Sequence, residues 1–82
     1  MGKVSKIYEK LMAGQSDANI SFDDLCFLLE RLGFASRQQG TSHKVFKKGE
    51  GFVNLQEGNA GKAKPYQVRQ ARETLKNLNL HP

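Results

Sequence analysis

Between Phe34 and Gln56 the apolar residues abandon the spacing that governs the chain on either side, and this change of period limits the folds available. Before it, Val4, Ile7, Tyr8, Leu11 and Met12 fall at i, i+3, i+4, i+7 and i+8, one stripe of a helix that ends near Gly14. Gln15 to Asn19 is a polar connector. Ile20-Ser21-Phe22-Asp23-Asp24-Leu25 then reads as a helix start, with Ser21 as N-cap, Asp24 at the reciprocal capping position, and Ile20 and Leu25 as the hydrophobic staple. Phe22, Leu25, Cys26, Leu28, Leu29 and Leu32 cover more than one stripe, which predicts that this second helix is central to the core. Gly33 ends it in the left-handed conformation, with Phe34 folding back on Leu29.

From Phe34 onward short runs replace the helical period, broken at Gly40 and at Lys48-Gly49-Glu50-Gly51. They predict three strands, about 34–38, 42–47 and 52–56, joined by hairpin turns. So few strands of this length need a helical layer over one face. Glu57 to Lys64 reads as a flexible Gly-containing loop. Pro65 then suits a first helical turn, and Val68, Ala71, Leu75 and Leu78 form a narrow apolar seam. The expectation is one α+β domain over residues 1–82, in the order α-α-β-β-β-α, with a small three-stranded antiparallel sheet packed on helices. Residues 1–14 are its additional N-terminal helix. The register of the second strand stays open. His43 and Val45 share one face and Lys44 and Phe46 the other, so each face pairs one apolar with one polar residue.

The chain has 82 residues, and a chain of this size hides only about 60% of its extended surface on folding, which leaves room for one small core. No run reaches the roughly 20 apolar residues of a bilayer crossing, and the opening MGKVSKIYEKLMAG is amphipathic, so the expectation is a cytoplasmic protein with no membrane partner. Cys26 is the single cysteine, which excludes an internal disulfide and a cysteine-based zinc site. The net charge of +5 is unevenly spread: residues 1–41 carry five charges of each sign, whereas residues 42–82 carry eight Lys and Arg against three Glu. A basic half points to a polyanion, above all nucleic acid, or to an acidic protein surface.

Most of the titratable residues have a structural explanation. Asp23 and Asp24 are adjacent on a helix, face different directions, and serve as capping residues rather than an acid pair. Cys26 sits in an apolar helix without a neighbouring base, the setting of a buried small hydrophobe. His81 is next to the last residue of the sequence. His43 differs, because it opens a strand between the Ser42 hydroxyl and the Lys44 ammonium. Imidazoles titrate near neutrality, so such a group can take the proton of a ribose 2′-hydroxyl or give one to a leaving oxygen while cations hold the phosphate. The 2′-hydroxyl is an internal nucleophile already beside phosphorus, so cleavage of RNA requires positioning and charge stabilisation, with neither a metal nor another cofactor. Lys44 beside His43, Lys47 and Lys48 at the turn, and Lys62 and Lys64 in the loop, are the RNA- and phosphate-binding candidates. Arg69 and Arg72, three apart on one helix face, are candidates for RNA or protein contact.

Ser42-His43 followed by Val45-Phe46 resembles the Gly-Ser-His-His-hydrophobic-Phe signature of HicA-type (YcfA-like) mRNA interferase toxins of type II toxin-antitoxin systems. Asn54-Leu55-Gln56 with Gly61-Lys62-Ala63-Lys64-Pro65-Tyr66-Gln67-Val68-Arg69-Gln70, and then Arg72, is similar to the strand-loop-helix ending of one branch of that family. Phe22-Asp23-Asp24-Leu25-Cys26 and Leu32-Gly33-Phe34 fit its central helix, so the resemblance covers essentially the whole chain. It implies a double-stranded-RNA-binding-domain-like fold, with His43 as the catalytic group and Ser42 beside it as a supporting residue. It further implies metal-independent cleavage of mRNA and neutralisation by a HicB-type antitoxin. Two positions depart from the signature. Thr41 replaces the glycine directly before Ser-His, with Gly40 one position earlier, and Lys44 replaces the second histidine, exchanging a proton carrier for a fixed cation. A non-catalytic RNA-binding module of the same fold and a basic protein-interaction domain are the alternative classes.

Overall fold

The computed structural model describes residues 2–40 and 43–82. Helices α1 (Lys3–Ala13), α2 (Phe22–Arg31) and α3 (Pro65–Asn77) flank an antiparallel sheet of β1 (Ala35–Gln38), β2 (His43–Lys48) and β3 (Gly51–Gln56). The chain order is α-α-β-β-β-α, and β2 lies in the middle of the sheet. One apolar cluster draws residues from all three helices and from the sheet.

Helix α2 is the centre of that cluster. Leu25, Leu28 and Leu29 have no exposed surface, and Phe22 and Cys26 are buried with them. Both ends of the helix are fixed by local sequence. The Ser21 hydroxyl accepts from the Asp24 N–H at 3.3 Å, while the Asp24 carboxylate pairs with Lys3 at 3.6 Å instead of completing the reciprocal half of the capping box. At the C-terminus the Phe34 N–H donates to the Leu29 carbonyl and the Gly33 N–H to the Glu30 carbonyl, both at 3.1 Å. Gly33 stands at φ 99°, and Phe34 is buried. This double bond with a left-handed glycine is the termination that Gly33-Phe34 predicts. Helix α3 closes the same way with Asn79 in the glycine's place, and the Tyr8 hydroxyl then donates to the Leu80 carbonyl at 3.2 Å, tying the tail to α1.

The sheet resolves the open register. A two-residue turn, Gly49-Glu50, starts at φ 57° and sets Lys48 opposite Gly51, so Phe46 faces Val53 and Lys44 faces Leu55. Phe46, Val53 and Leu55 are fully buried, whereas Phe52 is half exposed, which identifies the covered face. Gly51 completes it. A side chain there would collide with Leu78 of the α3 terminus, so helix and strand approach where only hydrogen fits. The other face of β2 carries His43, Val45 and Lys47 toward solvent. Helices therefore pack on one side of the sheet only.

Two expectations need correction. The segment Glu57–Lys64 is organised rather than a free loop: Ala63 is buried, its N–H donates to the Ile20 carbonyl at 2.9 Å, and isolated bridges pair Ser21 with Lys62 and Glu57 with Ala63. Arg72 is a structural clamp. It donates from Nη1 and Nη2 to the two Asp17 oxygens at 2.8 and 3.1 Å, and from Nη1 to the Leu11 carbonyl at 3.1 Å. With 12% and 18% of the two side chains exposed, this forked pair joins α3 to the end of α1 and to the short 3-10 turn Asp17–Asn19. Among the described residues, no helix is long and apolar enough to cross a membrane.

Two stability predictions follow from this core. Leu29→Ala should cost about 2 to 5 kcal/mol, a large share of the total for a domain this small, read as a lowered urea midpoint; an unchanged midpoint would mean α2 is not central. The Arg72 hydrogen bond, with its charge, holds the Asp17 carboxyl below its usual 3.8. Stability from a carboxyl lowered on folding is complete above the unfolded value and drains as pH falls toward the folded one, here from about pH 5 downward. Asp17→Asn should therefore lose about 1 to 3 kcal/mol at pH 7 and show a flatter acid limb than the parent. An equal loss of urea-derived stability between pH 7 and pH 3 in parent and variant would refute the clamp.

Candidate active site

The uncovered face of the sheet is built from alternate residues of three strands. His43, Val45 and Lys47 come from β2, Phe52, Asn54 and Gln56 from β3, and Ala35 and Arg37 from β1. Every charged residue in this set is basic or, for His43, able to become so. The mid-sheet position of β2 gives His43 neighbours on both sides. Gln56 is its direct partner on β3, Asn54 is diagonal to it across the same ladder, and Arg37 is diagonal to it on β1, where such neighbours lie about 7 to 8 Å apart.

His43 is half-buried, and its Nε2 hydrogen-bonds to the Asn54 Oδ1. Because the amide oxygen can only accept, Nε2 carries the proton in the neutral ring, and Nδ1 keeps its lone pair. Asn54 thus fixes the ring plane and the tautomer together, as a positioning partner does for a general base. From the other end, the buried side chain of Gln67 on α3 holds the strand end beside His43: its Oε1 accepts from the Gln56 N–H at 2.6 Å and its Nε2 donates to the Tyr66 hydroxyl at 3.3 Å. Neither amide stands out in the sequence as a site residue. Asn54 becomes visible once the Gly49-Glu50 turn fixes the hairpin register, and Gln67 is legible only as a polar residue four before Ala71 in the α3 seam.

The predicted cations do not form one surface. Lys47 stands exposed on the His43 face, joined by Arg37, which charge arithmetic over the second half of the chain passes over. Lys44 lies on the opposite face and sits 3.9 Å from Glu30, a partly exposed pair of small energetic weight. Lys48 shares that inner face, where its ammonium lies over Gly33 at the C-terminus of α2 and suits the negative end of the helix. Lys62 and Lys64 line a separate cavity of about 300 Å³ with Gly58, Asn59 and Pro65, next to the start of α3. Arg69 is exposed on α3, where its charge helps to depress Asp17, and Arg72 is committed to that carboxylate. Ser42 and Thr41 lie outside the described residues.

Cys26 and Asp24 have structural roles. Cys26 is buried, and desolvation pushes its thiol up to about 12, so it is no nucleophile. Asp24 is engaged at the α2 start. Among the described residues, no three His, Cys, Asp or Glu side chains come together as metal donors.

The tautomer assignment is directly testable. Long-range ¹H–¹⁵N correlation at neutral pH should show His43 as the Nε2–H form in the parent, and as a mixture in Asn54→Ala; identical spectra would remove Asn54 from the site. Comparison of the chain with family models, with curated proteins and with solved structures finds no match, so the geometry of this sheet face must carry the functional reading.

Proposed function

We propose that this chain is an endoribonuclease that cleaves single phosphodiester bonds of RNA with His43 as its general acid/base. The observation that carries the reading is the half-exposed imidazole on the open sheet face, with one nitrogen held by Asn54, the other without a partner among the described residues, and Arg37 and Lys47 on the same face. Nδ1 takes the proton of the ribose 2′-hydroxyl as that oxygen attacks phosphorus. The P–O5′ bond breaks, and the imidazolium returns the proton to the departing 5′-oxygen. The products are a 2′,3′-cyclic phosphate and a 5′-hydroxyl, so atoms and protons balance without an external nucleophile. Arg37, diagonal to the imidazole, offers positive charge to the phosphorane as its oxygens gain negative charge, while Lys47, further along β2, holds a neighbouring phosphate of the strand.

The resemblance to HicA-type toxins supports the same chemistry. It adds cytoplasmic mRNA as the substrate and a HicB-type antitoxin as the neutralising partner, a protein that would act by covering the basic sheet face. Lys44 in place of the second signature histidine fits a one-imidazole mechanism, since it lies on the inner face near Glu30.

The test compares the parent with His43→Ala on single-stranded RNA in excess chelator. Cleavage by the parent, reduced at least 100-fold in the variant with RNA affinity and melting temperature kept, is the expected result. Salt-sensitive binding with no cleavage by either protein would instead mark a non-catalytic RNA-binding module, and no RNA binding a protein-docking domain.

A further inference from the structure

Beside the imidazole, the open face holds a depression of about 570 Å³ whose floor and rim include Arg37, Val45, Lys47, Phe52 and Asn54. Its volume lies in the range that accepts a small planar ligand. No carboxylate lines it. Phe52 is 50% exposed, an unusual placement for a large apolar side chain, and it sits directly across the ladder from Lys47. The hairpin explains why the ring cannot retreat. Alternation puts Val53 and Leu55 into the core and forces Phe52 outward, so burying the ring would expose both of them.

Resting on the nuclease reading above, we infer that Phe52 is the stacking platform of a nucleobase subsite for an unpaired base of the RNA, a few nucleotides from the bond that His43 cleaves. An aromatic face beside cations is the recurring solution for single strands, because every base has a π-face and every link a negative charge. Amide and backbone groups at the Asn54 side of the depression can meet a base edge. His43 and Lys47 are four residues apart on β2, so the platform is displaced from the imidazole by about 13 Å along the strand. That is about four times the 3.4 Å spacing of stacked bases, so the base held on Phe52 is a neighbour a few nucleotides from the cleaved link. The subsite would therefore set binding and the position of the cut rather than the chemistry. A base locked in a duplex cannot lie on the ring, which makes the site selective for single strands.

The chain contains no tryptophan, so Phe52→Trp places a lone indole reporter on the platform. Short single-stranded 2′-O-methyl RNA, which cannot be cleaved because the attacking hydroxyl is blocked, serves as the probe. The expected result is quenching of the indole with affinity retained in Phe52→Trp, and about tenfold or greater loss of affinity in Phe52→Ala at an unchanged urea midpoint. Binding without quenching, and with Phe52→Ala as tight as the parent, would overturn the subsite and leave the nuclease reading intact. Equal quenching by duplex RNA would overturn the assignment to an unpaired base, and equal quenching by poly-glutamate would overturn it in favour of a protein partner. Failure of all RNA to bind would overturn the subsite and the nuclease reading together.

Discussion

A three-stranded sheet with helices on one side has to be apolar on that side alone, and this asymmetry decides where everything else can go. Phe46, Val53 and Leu55 meet α2 and α3 and are sealed, so alternation delivers the intervening residues to water. The chain fills those outward positions with His43, Lys47, Asn54, Phe52 and Arg37 instead of a uniform run of small polar residues. The functional reading depends on that placement more than on net charge. The same imidazole one register step away would lie on the helix-covered face, where Lys44 stands beside Glu30 and opposite the buried Leu55.

Much of this architecture is written locally. The i, i+3, i+7 spacing of Val4, Ile7 and Leu11, the Ser21 cap and the Gly33-Phe34 termination are each set within a few helical turns, and they are visible without tertiary information. The strand register is harder. His43-Lys44-Val45-Phe46 offers one apolar and one polar residue to each face, and only the two-residue turn at Gly49-Glu50, which aligns Phe46 with Val53, breaks the tie. The Arg72–Asp17 clamp spans 55 residues between a helix and a polar connector, so no sequence window contains both partners. Gln67 is obscured because an amide in a helical seam looks like a break in the apolar pattern. Its use becomes clear when the unpaired Gln56 N–H at the sheet end is seen to need an acceptor.

The charge distribution shows how a sum along the chain can mislead. All of the excess positive charge belongs to residues 42–82, but the fold scatters it: Lys48 lies at a helix terminus, Arg72 is paired, Lys62 and Lys64 line a different cavity, and Lys44 faces Glu30. The first half, neutral in total, supplies Arg37 to the face that matters. Strand pairing, not sequence distance, brings Arg37 of the first half onto the face that carries His43 and Lys47. On that face the Asn54 bond gives His43 a defined tautomer.

The chemistry of the cut ends tests this account most directly. Mass spectrometry of fragments produced from a defined RNA oligonucleotide in excess chelator should find 2′,3′-cyclic phosphates at the new 3′ ends and hydroxyls at the new 5′ ends, because the attacking oxygen belongs to the substrate. Fragments ending in a 3′-hydroxyl and a 5′-phosphate would mean that water is the nucleophile, and would contradict an imidazole acting on the ribose from the open face of the sheet.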